Sequence, residues 1–244
     1  MLNKERCNRL SFLCYNDFGG TMELEKLYKK YDKLQKQHGA KDLHAIYHGG
    51  CFSNPKVCFV FMNPTGRNVA SDSSWSGIRA PWIGTKIVWQ LFYQIGLFDE
   101  ELYQEIQNRK PKEWTPEFSK KVYDEVASKG YFITNLGKCT QIDARPLPDS
   151  VYLEYLHLLK EEIRMINPDI IVTFGNQVSS ILLDEKVSVT EWRKKYKTLK
   201  IKDKEYKTYP VFYPVGNGRF NMPKSIEDLK YIFEENGLFQ EKVR

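Results

Sequence analysis

KVCFVFM, at Lys56–Met62, is an apolar run in which no polar residue follows the first lysine. A short run of this kind is typical of a β-strand that is buried on both faces, as in a parallel sheet covered by helices. The run is broken at once by Asn63-Pro64-Thr65-Gly66, residue types that favour turns. Three later runs predict three further strands: YFIT (Tyr131–Thr134), DIIVT (Asp169–Thr173) and Tyr209–Phe212.

Helical periodicity fills the intervals between these four strands. Strands that alternate with helices favour an α/β fold. We therefore predict a three-layer α/β/α sandwich around a central, mostly parallel sheet of four strands. The predicted helices cover Leu24–Leu34, Ile87–Ile95, Leu102–Lys129 with breaks at Pro111 and Pro116, Leu153–Ile166, a segment opened by Gly175, and a last segment capped by Ser225.

The composition is that of a globular chain. Of its 244 residues 41% are hydrophobic and 28% charged, which argues against disordered and fibrous classes. No apolar run approaches the roughly 18 residues of a membrane span, and Met1–Gly20 lacks the apolar core of a secretory signal. We expect a cytoplasmic monomer with no membrane partner. Residues 41–244 are predicted to form a single domain, preceded at 1–40 by a lead-in and a helix.

The cysteine pattern predicts reduced thiols. Five cysteines are an odd number, and none of them has CxxC spacing. The chain also lacks the glycine-rich signatures of ordinary dinucleotide and P-loop sites. We therefore expect neither a metal nor a cofactor. The cysteines are Cys7, Cys14, Cys51, Cys58 and Cys139.

The positive charge is unevenly distributed. Lysines and arginines number 37 against 31 acidic residues, a net charge of +6. A basic surface with interleaved aromatic rings favours a polyanion whose bases stack. The alternative interpretation is a solvated, lysine-rich hairpin that turns at Lys202-Asp203-Lys204. The basic residues of this stretch are Arg193, Lys194, Lys195, Lys197, Lys200, Lys202, Lys204 and Lys207.

Each predicted strand ends in a polar or glycine-bearing segment. In a parallel sheet, ligands bind beyond the carboxyl ends of the strands, so these segments are predicted to meet around one crevice. The alternative is that they are ordinary turns, because Asn, Pro and Gly favour turns in any case. The segments are Asn63–Gly66, Asn135–Lys138, Phe174–Asn176 and Tyr213–Arg219.

Five segments in this order resemble those of the uracil-DNA glycosylase superfamily. The Asn-Pro core of the first is most similar to the mismatch-specific and single-strand-selective branches, and the third and fourth resemble the thermostable bacterial and archaeal branch. The resemblance extends from about Tyr47 to Phe233. The segments are VFMNPTG (Val60–Gly66), APWIGTKIVWQLFYQIGLF (Ala80–Phe98), ITNLGKC (Ile133–Cys139), INPDIIVTFG (Ile166–Gly175) and YPVGNGRF (Tyr213–Phe220).

Two departures from the family pattern stand out. The last motif normally begins with His-Pro-Ser or Asn-Pro-Ser, and here it reads Tyr213-Pro214-Val215. The thermostable branch carries an iron–sulfur cluster on four cysteines. Cys139 falls at one ligand position, but Tyr155 occupies another, so the resemblance implies no cluster here.

The resemblance implies specific roles at the crevice. It assigns Asn63 to placing the attacking water. At the position of the usual histidine, either Tyr213 donates a hydrogen bond to the leaving base or the pocket admits a base larger than uracil. The resemblance assigns Trp82 to stacking on the extruded base and Asn135 to its Watson–Crick edge, with Pro64 and Thr65 beside them. Each residue also has a structural interpretation: an Asn-Pro turn, a core tryptophan, a strand-ending asparagine, a structural tyrosine. The predicted DNA contacts are Lys138, Asn217, Arg219 and Phe220, together with the lysine-rich hairpin; Asp72 and Asp143 are further candidate bases.

These roles imply a monofunctional DNA glycosylase that releases a flipped uracil or modified pyrimidine and leaves an abasic site. Its expected partner is duplex or single-stranded DNA, so the protein would be associated with the nucleoid when it acts. The replaced histidine leaves open a second hypothesis, a DNA-binding module of the same fold without catalysis. A third is an enzyme that acts on small nucleosides or nucleotides. The prediction depends on Asn63 and Asn135 lining one hollow that has Trp82 as its floor.

Overall fold

The computed structural model describes residues 18–145 and 147–239, with side chains from residue 23 onward. Six strands form one sheet in the order β1-β3-β2-β4-β6-β5. The pairs β3–β2, β2–β4 and β4–β6 are parallel, and β1 and β5 are antiparallel edge strands. The strands are β1 (His48–Gly50), β2 (Val57–Phe61), β3 (Tyr131–Asn135), β4 (Ile170–Phe174), β5 (Lys197–Ile201) and β6 (Lys204–Val211).

The mostly parallel α/β sandwich is confirmed, and the sheet is wider than predicted. All four predicted strands are present in its centre. The prediction of four strands is wrong at both edges: β5 is the first arm of the predicted hairpin, and β1 contains only His48, Gly49 and Gly50. A strand this short and rich in glycine has no apolar run to indicate it.

Eight α-helices in the described ranges cover the two faces of the sheet. Phe59 and Phe61 of β2 face α2, α3, α4 and α8, whereas Cys58 and Val60 face α5 and α6. Because alternate residues of a strand point to opposite faces, the continuous apolar run fills both cores. The helices are α1 (Phe18–His38), α2 (Ile87–Gln94), α3 (Glu100–Asn108), α4 (Pro116–Ser128), α5 (Asp149–Ile166), α6 (Asn176–Leu183), α7 (Val189–Trp192) and α8 (Met222–Glu235).

The first and last helices are tied to the rest of the fold. Helix α1, the helix predicted within residues 1–40, packs on α5 through Leu27 and Tyr31 and contributes to the core. Helix α8 begins at Met222, three residues before the predicted cap. Ser225 is not a cap: its hydroxyl donates to the carbonyl oxygens of Phe212 and Asn221. It thereby ties the helix to the segment that follows β6.

Candidate active site

The carboxyl ends of the central strands meet at one edge of the sheet. Phe61 ends β2 and is the register partner of Asn135, which ends β3. Register partners on neighbouring strands share a face, so the two side chains lie side by side. On the other side of Phe61, the ring of Phe174 stacks on it with centroids 4.2 Å apart. Phe61, rather than the predicted Trp82, therefore forms the floor between these strand ends. By the strand-end crevice we mean the segments that carry Asn63, Trp82, Asn135 and Tyr213; that Asn63 and Asn135 line one hollow stays a prediction.

Trp82 contacts this floor from the loop before α2. Its ring meets Phe61 edge-on, with centroids 4.9 Å apart. Its backbone is left-handed, with φ of 68°, a conformation that costs a non-glycine residue about 1–3 kcal/mol. Its carbonyl oxygen accepts bonds from Thr85 N, Thr85 Oγ1 and Trp89 Nε1, which hold this conformation in place. Such strain is concentrated at functional sites, and here it holds the indole against the crevice.

Asn135 presents a buried amide. The residue is 2% exposed, and its Nδ2 has no hydrogen-bond partner among the described residues. A buried donor without a partner costs about 1–3 kcal/mol, so this group is suited to a ligand that brings an acceptor. At 2% exposure the crevice is closed over the amide. A base reaches it only when a neighbouring side chain moves.

Asn63 follows the floor by two residues and is half-buried. Its Oδ1 accepts a hydrogen bond of 2.6 Å from the Tyr152 hydroxyl, and its Nδ2 donates to the Pro64 carbonyl oxygen at 3.1 Å. The next two residues are tied to the segment after β3, since Pro64 O accepts from Gln141 N and Thr65 bridges to Gln141. A neutral amide takes up no proton, and these contacts fix the orientation of its donor and acceptor atoms.

Tyr213 closes the crevice on the β6 side. It is half-buried, with its ring 6.5 Å from that of Phe61. Burial raises the pKa of its phenol well above the usual range, so the hydroxyl stays protonated. A Cβ at Gly218 would lie 2.1 Å from the Tyr213 carbonyl oxygen, so only glycine lets the following loop pack here.

This loop carries an exposed aromatic ring. Residues Gly216–Asn221 form a short 3₁₀ helix in which Asn217, Arg219 and Phe220 are all exposed. Phe220 is 79% exposed, and the Arg219 guanidinium lies 4.9 Å from its ring centroid. An apolar ring and a cation at the edge of a crevice suit a nucleic acid, whose bases stack and whose phosphates are anionic.

A family model described as the uracil DNA glycosylase superfamily matches residues 48–234. The chain belongs to this superfamily. The predicted resemblance is thereby confirmed at the level of the superfamily. Membership implies the activity of a DNA glycosylase, a hydrolase of DNA repair, with DNA as its substrate.

Within the superfamily fold, the prediction that Lys138 contacts phosphate is wrong. Its side chain is 0% exposed, and its Nζ donates to the Asn135 carbonyl oxygen at 2.8 Å and to Glu162 at 3.1 Å. Glu162 also accepts bonds from Tyr31 at 2.6 Å and from Thr134 at 2.5 Å. Lys138 therefore supports the strand end that carries Asn135 and does not reach solvent.

The turn of the lysine-rich hairpin also lies away from the crevice. Strand β6 runs parallel to β4 and begins at Lys204, so the turn at Lys202 and Asp203 lies where the parallel strands begin, and the crevice lies where they end. Several of the hairpin's basic groups are also paired, as in Lys197 with Glu185 and Lys202 with Glu161. The turn therefore lies away from DNA held at the crevice. At the other end of this basic stretch, the Arg193 guanidinium lies 5.7 Å from the centroid of the Phe212 ring, and contact of that end with phosphates stays a prediction.

The two candidate bases are weakly basic. Asp72 and Asp143 are exposed, and hydrogen bonds from Ser74 and Arg145, respectively, lower their carboxyl pKa values. Each carboxylate accepts hydrogen bonds from the residue two positions further along its own loop. Neither contact connects the carboxylate to Asn63 or Asn135.

The structure adds Tyr152, Glu162 and His48 to the residues near the site. Tyr152 is the partner of Asn63, and His48 Nδ1 lies 3.4 Å from Glu162. A buried charge in an amphipathic helix could have indicated Glu162. Tyr152 lies just before the predicted start of its helix, and no feature of the sequence connects it to Asn63.

The described cysteines are not clustered. Cys58 and Cys139 are buried, Cys51 is half-buried, and Cys7 and Cys14 lie outside the described residues. In the part of the chain that the structure describes, no three His, Cys, Asp or Glu side chains are placed to hold a metal ion. Over residues 18–145 and 147–239, no helix is both long and apolar enough to cross a membrane.

Proposed function

We propose that this protein is a monofunctional DNA glycosylase that releases a flipped uracil or modified pyrimidine and leaves an abasic site. The observation that carries the proposal is the pair of amides at adjoining strand ends. One, Asn63, is fixed by Tyr152, and the other, Asn135, has a buried nitrogen without a partner among the described residues.

The reaction needs the base outside the stack. A duplex pays roughly a few kcal/mol to extrude one nucleotide, and Phe220 at the edge of the crevice is placed to fill the vacated space. Arg219 and Asn217 then bind the neighbouring backbone, which positions the duplex without reading its sequence. Both residues are exposed on the same short helix as Phe220.

Bond cleavage separates a cationic sugar from an anionic base. The bond from C1′ to the base nitrogen breaks, and its electron pair leaves with the base. A water molecule held by the Asn63 amide adds to C1′, and its proton passes to solvent or to the released base. Asn63 accelerates the addition of water by placing the water molecule, because the cationic sugar is already strongly electrophilic and an amide takes up no proton.

The base is recognised by donors and rings. Asn135 offers a donor and an acceptor to the Watson–Crick edge, and Trp82 stacks against the ring, with Pro64 and Thr65 alongside. Tyr213 replaces the usual histidine as donor to the oxygen of the leaving base. Burial raises the pKa of this phenol, so the hydroxyl stays protonated, the form that can donate.

The proposed setting follows from the same residues. One chain carries every group of the proposed site, which supports action as a monomer. The proposed location is the cytoplasm, with the nucleoid as the place of action on DNA.

A screen of single- and double-stranded oligonucleotides, each with one uracil or modified base, tests the proposal. Alkali cleaves the DNA strand at abasic sites, and mass spectrometry identifies the released base. We expect breaks and free base for at least one modified pyrimidine. Neither product on any substrate would contradict the proposal.

A DNA-binding module without catalysis is the second candidate. Two observations favour it: Tyr213 stands in place of the histidine, and the Asn135 amide is only 2% exposed. It predicts tight binding to the modified oligonucleotides, with affinity that falls steeply with salt, and no product. The screen separates the two candidates when binding is measured on the same substrates.

A further inference from the structure

A phenol outside the family motifs orients the amide of Asn63. Tyr152 lies in the first turn of α5 and is fully buried. Its hydroxyl donates to Asn63 Oδ1 at 2.6 Å, while Asn63 Nδ2 donates to the Pro64 carbonyl oxygen. An amide nitrogen donates and an amide oxygen accepts, so these two contacts together select one of the two orientations of the amide.

The fold leaves room for this contact at Gly137. A Cβ at this position would lie 3.1 Å from Tyr152 Cε1 and 3.5 Å from Asn63 Cβ. A larger residue would therefore press on the tyrosine ring. Gly137 is itself anchored, since its N–H donates to the Met62 carbonyl oxygen at 2.8 Å. Strand β2, strand β3 and helix α5 thus meet at the hydrogen bond between Tyr152 and Asn63.

The hydroxyl of Tyr152 stays a donor at neutral pH. Burial raises the pKa of this phenol well above its usual range, and Cys139 and Tyr213 raise it further. An amide oxygen has two lone pairs, and Tyr152 uses one of them. The remaining lone pair is available to a hydrogen of water.

We propose that Tyr152 is a positioning residue of the reaction, an inference that rests on the proposed function. It holds the Asn63 amide with one oxygen lone pair available, and the attacking water donates a hydrogen to that lone pair. The water oxygen then directs its own lone pair toward C1′. Tyr152 acts through Asn63 and touches neither the sugar nor the base.

The kinetic test compares Tyr152→Phe with Tyr155→Phe. Both variants lose one buried phenol hydroxyl from α5, but the Tyr155 hydroxyl has no hydrogen-bond partner among the described residues, whereas the Tyr152 hydroxyl donates to Asn63. We expect Tyr152→Phe to lower the single-turnover rate of base release by about tenfold or more, with DNA affinity unchanged. Tyr155→Phe should retain the rate. A Tyr152→Phe rate within about twofold of the wild-type rate would overturn the inference.

A titration tests the same contact without any turnover. Asn63→Asp places a carboxyl beside the phenol, and a donor to the charged form lowers its pKa. We expect this carboxyl, followed by carbon-13 NMR, to titrate about one unit higher in Asn63→Asp/Tyr152→Phe than in Asn63→Asp. Equal values would overturn the inference. Failure of the wild type to release any base would instead contradict the proposed function, and the titration would still show whether the Tyr152 hydroxyl donates to the side chain at position 63.

Discussion

Lys138 and Glu162 form an ion pair that is excluded from solvent behind the crevice. Lys138 Nζ lies 3.1 Å from the Glu162 carboxylate, and both side chains are 0% exposed. Lys138 also donates to the Asn135 carbonyl oxygen, and Glu162 accepts from Tyr31 of α1. The pair therefore connects the N-terminal helix, α5 and the strand end that carries Asn135.

Loss of the carboxylate should destabilise the fold. Glu162→Gln leaves the ammonium of Lys138 buried without its counter-charge, which costs about 3–5 kcal/mol. Urea denaturation measures this as a fall in the free energy of unfolding. The control is Glu161→Gln, one residue earlier, where the side chain is 38% exposed and pairs with Arg164; it should cost less than about 1 kcal/mol. Equal losses from the two variants would show that the buried pair contributes nothing specific.

Acid should weaken the same contact. Burial alone would raise the pKa of Glu162, but Lys138, His48 and Thr134 hold it at about 2. A glutamate in the unfolded chain has a pKa of about 4.3. The contribution of the Glu162 carboxylate to the free energy of unfolding is therefore complete above that pH and is lost as the pH falls toward 2. We expect the free energy of unfolding to drop by about 3 kcal/mol across this window. A difference between wild type and Glu162→Gln that stays constant from pH 5 to about 2 would contradict this pKa.

Removing the phenol hydroxyl of Tyr213 should slow base release. Tyr213→Phe keeps the ring over Phe61 but cannot donate to the leaving base, and loss of one such donor costs about 10²-fold in rate. The change is measured by single-turnover kinetics on an oligonucleotide from which the wild type releases a base, with DNA affinity as the control. A Tyr213→Phe rate equal to that of the wild type would assign this tyrosine a packing role only.

Phe220 should matter for duplex DNA more than for single strands. Its ring is 79% exposed, and filling a vacated stack helps only where a stack exists. We expect Phe220→Ala to slow release from duplex by about tenfold and from single strands by less than about twofold. Tyr231→Ala removes another exposed ring, from α8, and is the matched control. Equal slowing on both substrates would mean that Phe220 is not a wedge.

The centre of the sheet could be predicted from the sequence because burial on both faces leaves a simple pattern. Val57–Phe61 is apolar throughout, Ile170–Phe174 is apolar except for Thr173, and the apolar runs predicted both strands. The positions of the strand ends could be predicted as well, because parallel strands bring the segments of Asn63 and Asn135 to the same end of the sheet. The role of Phe61 did not follow, because its ring belongs to the apolar run and only the structure shows what stacks on it.

The errors have physical causes. Lys138 follows a strand in a polar segment, where a lysine is normally exposed, and its partner Glu162 is 24 residues away. The position of the hairpin turn could have been predicted, because the turn comes directly before a parallel strand and therefore lies at the end of the sheet where that strand begins. Tyr152 could not, because its contact with Asn63 spans 89 residues and depends on the missing Cβ of Gly137.

In the proposed reaction, the amide of Asn63 places the water that releases the base. The most direct measurement is the single-turnover rate of base release by Asn63→Ala relative to the wild type, with DNA affinity measured in parallel. We expect the rate to fall by about 10²-fold or more at unchanged affinity, the scale expected when a reacting group loses its placement. Equal rates for the two proteins would contradict it.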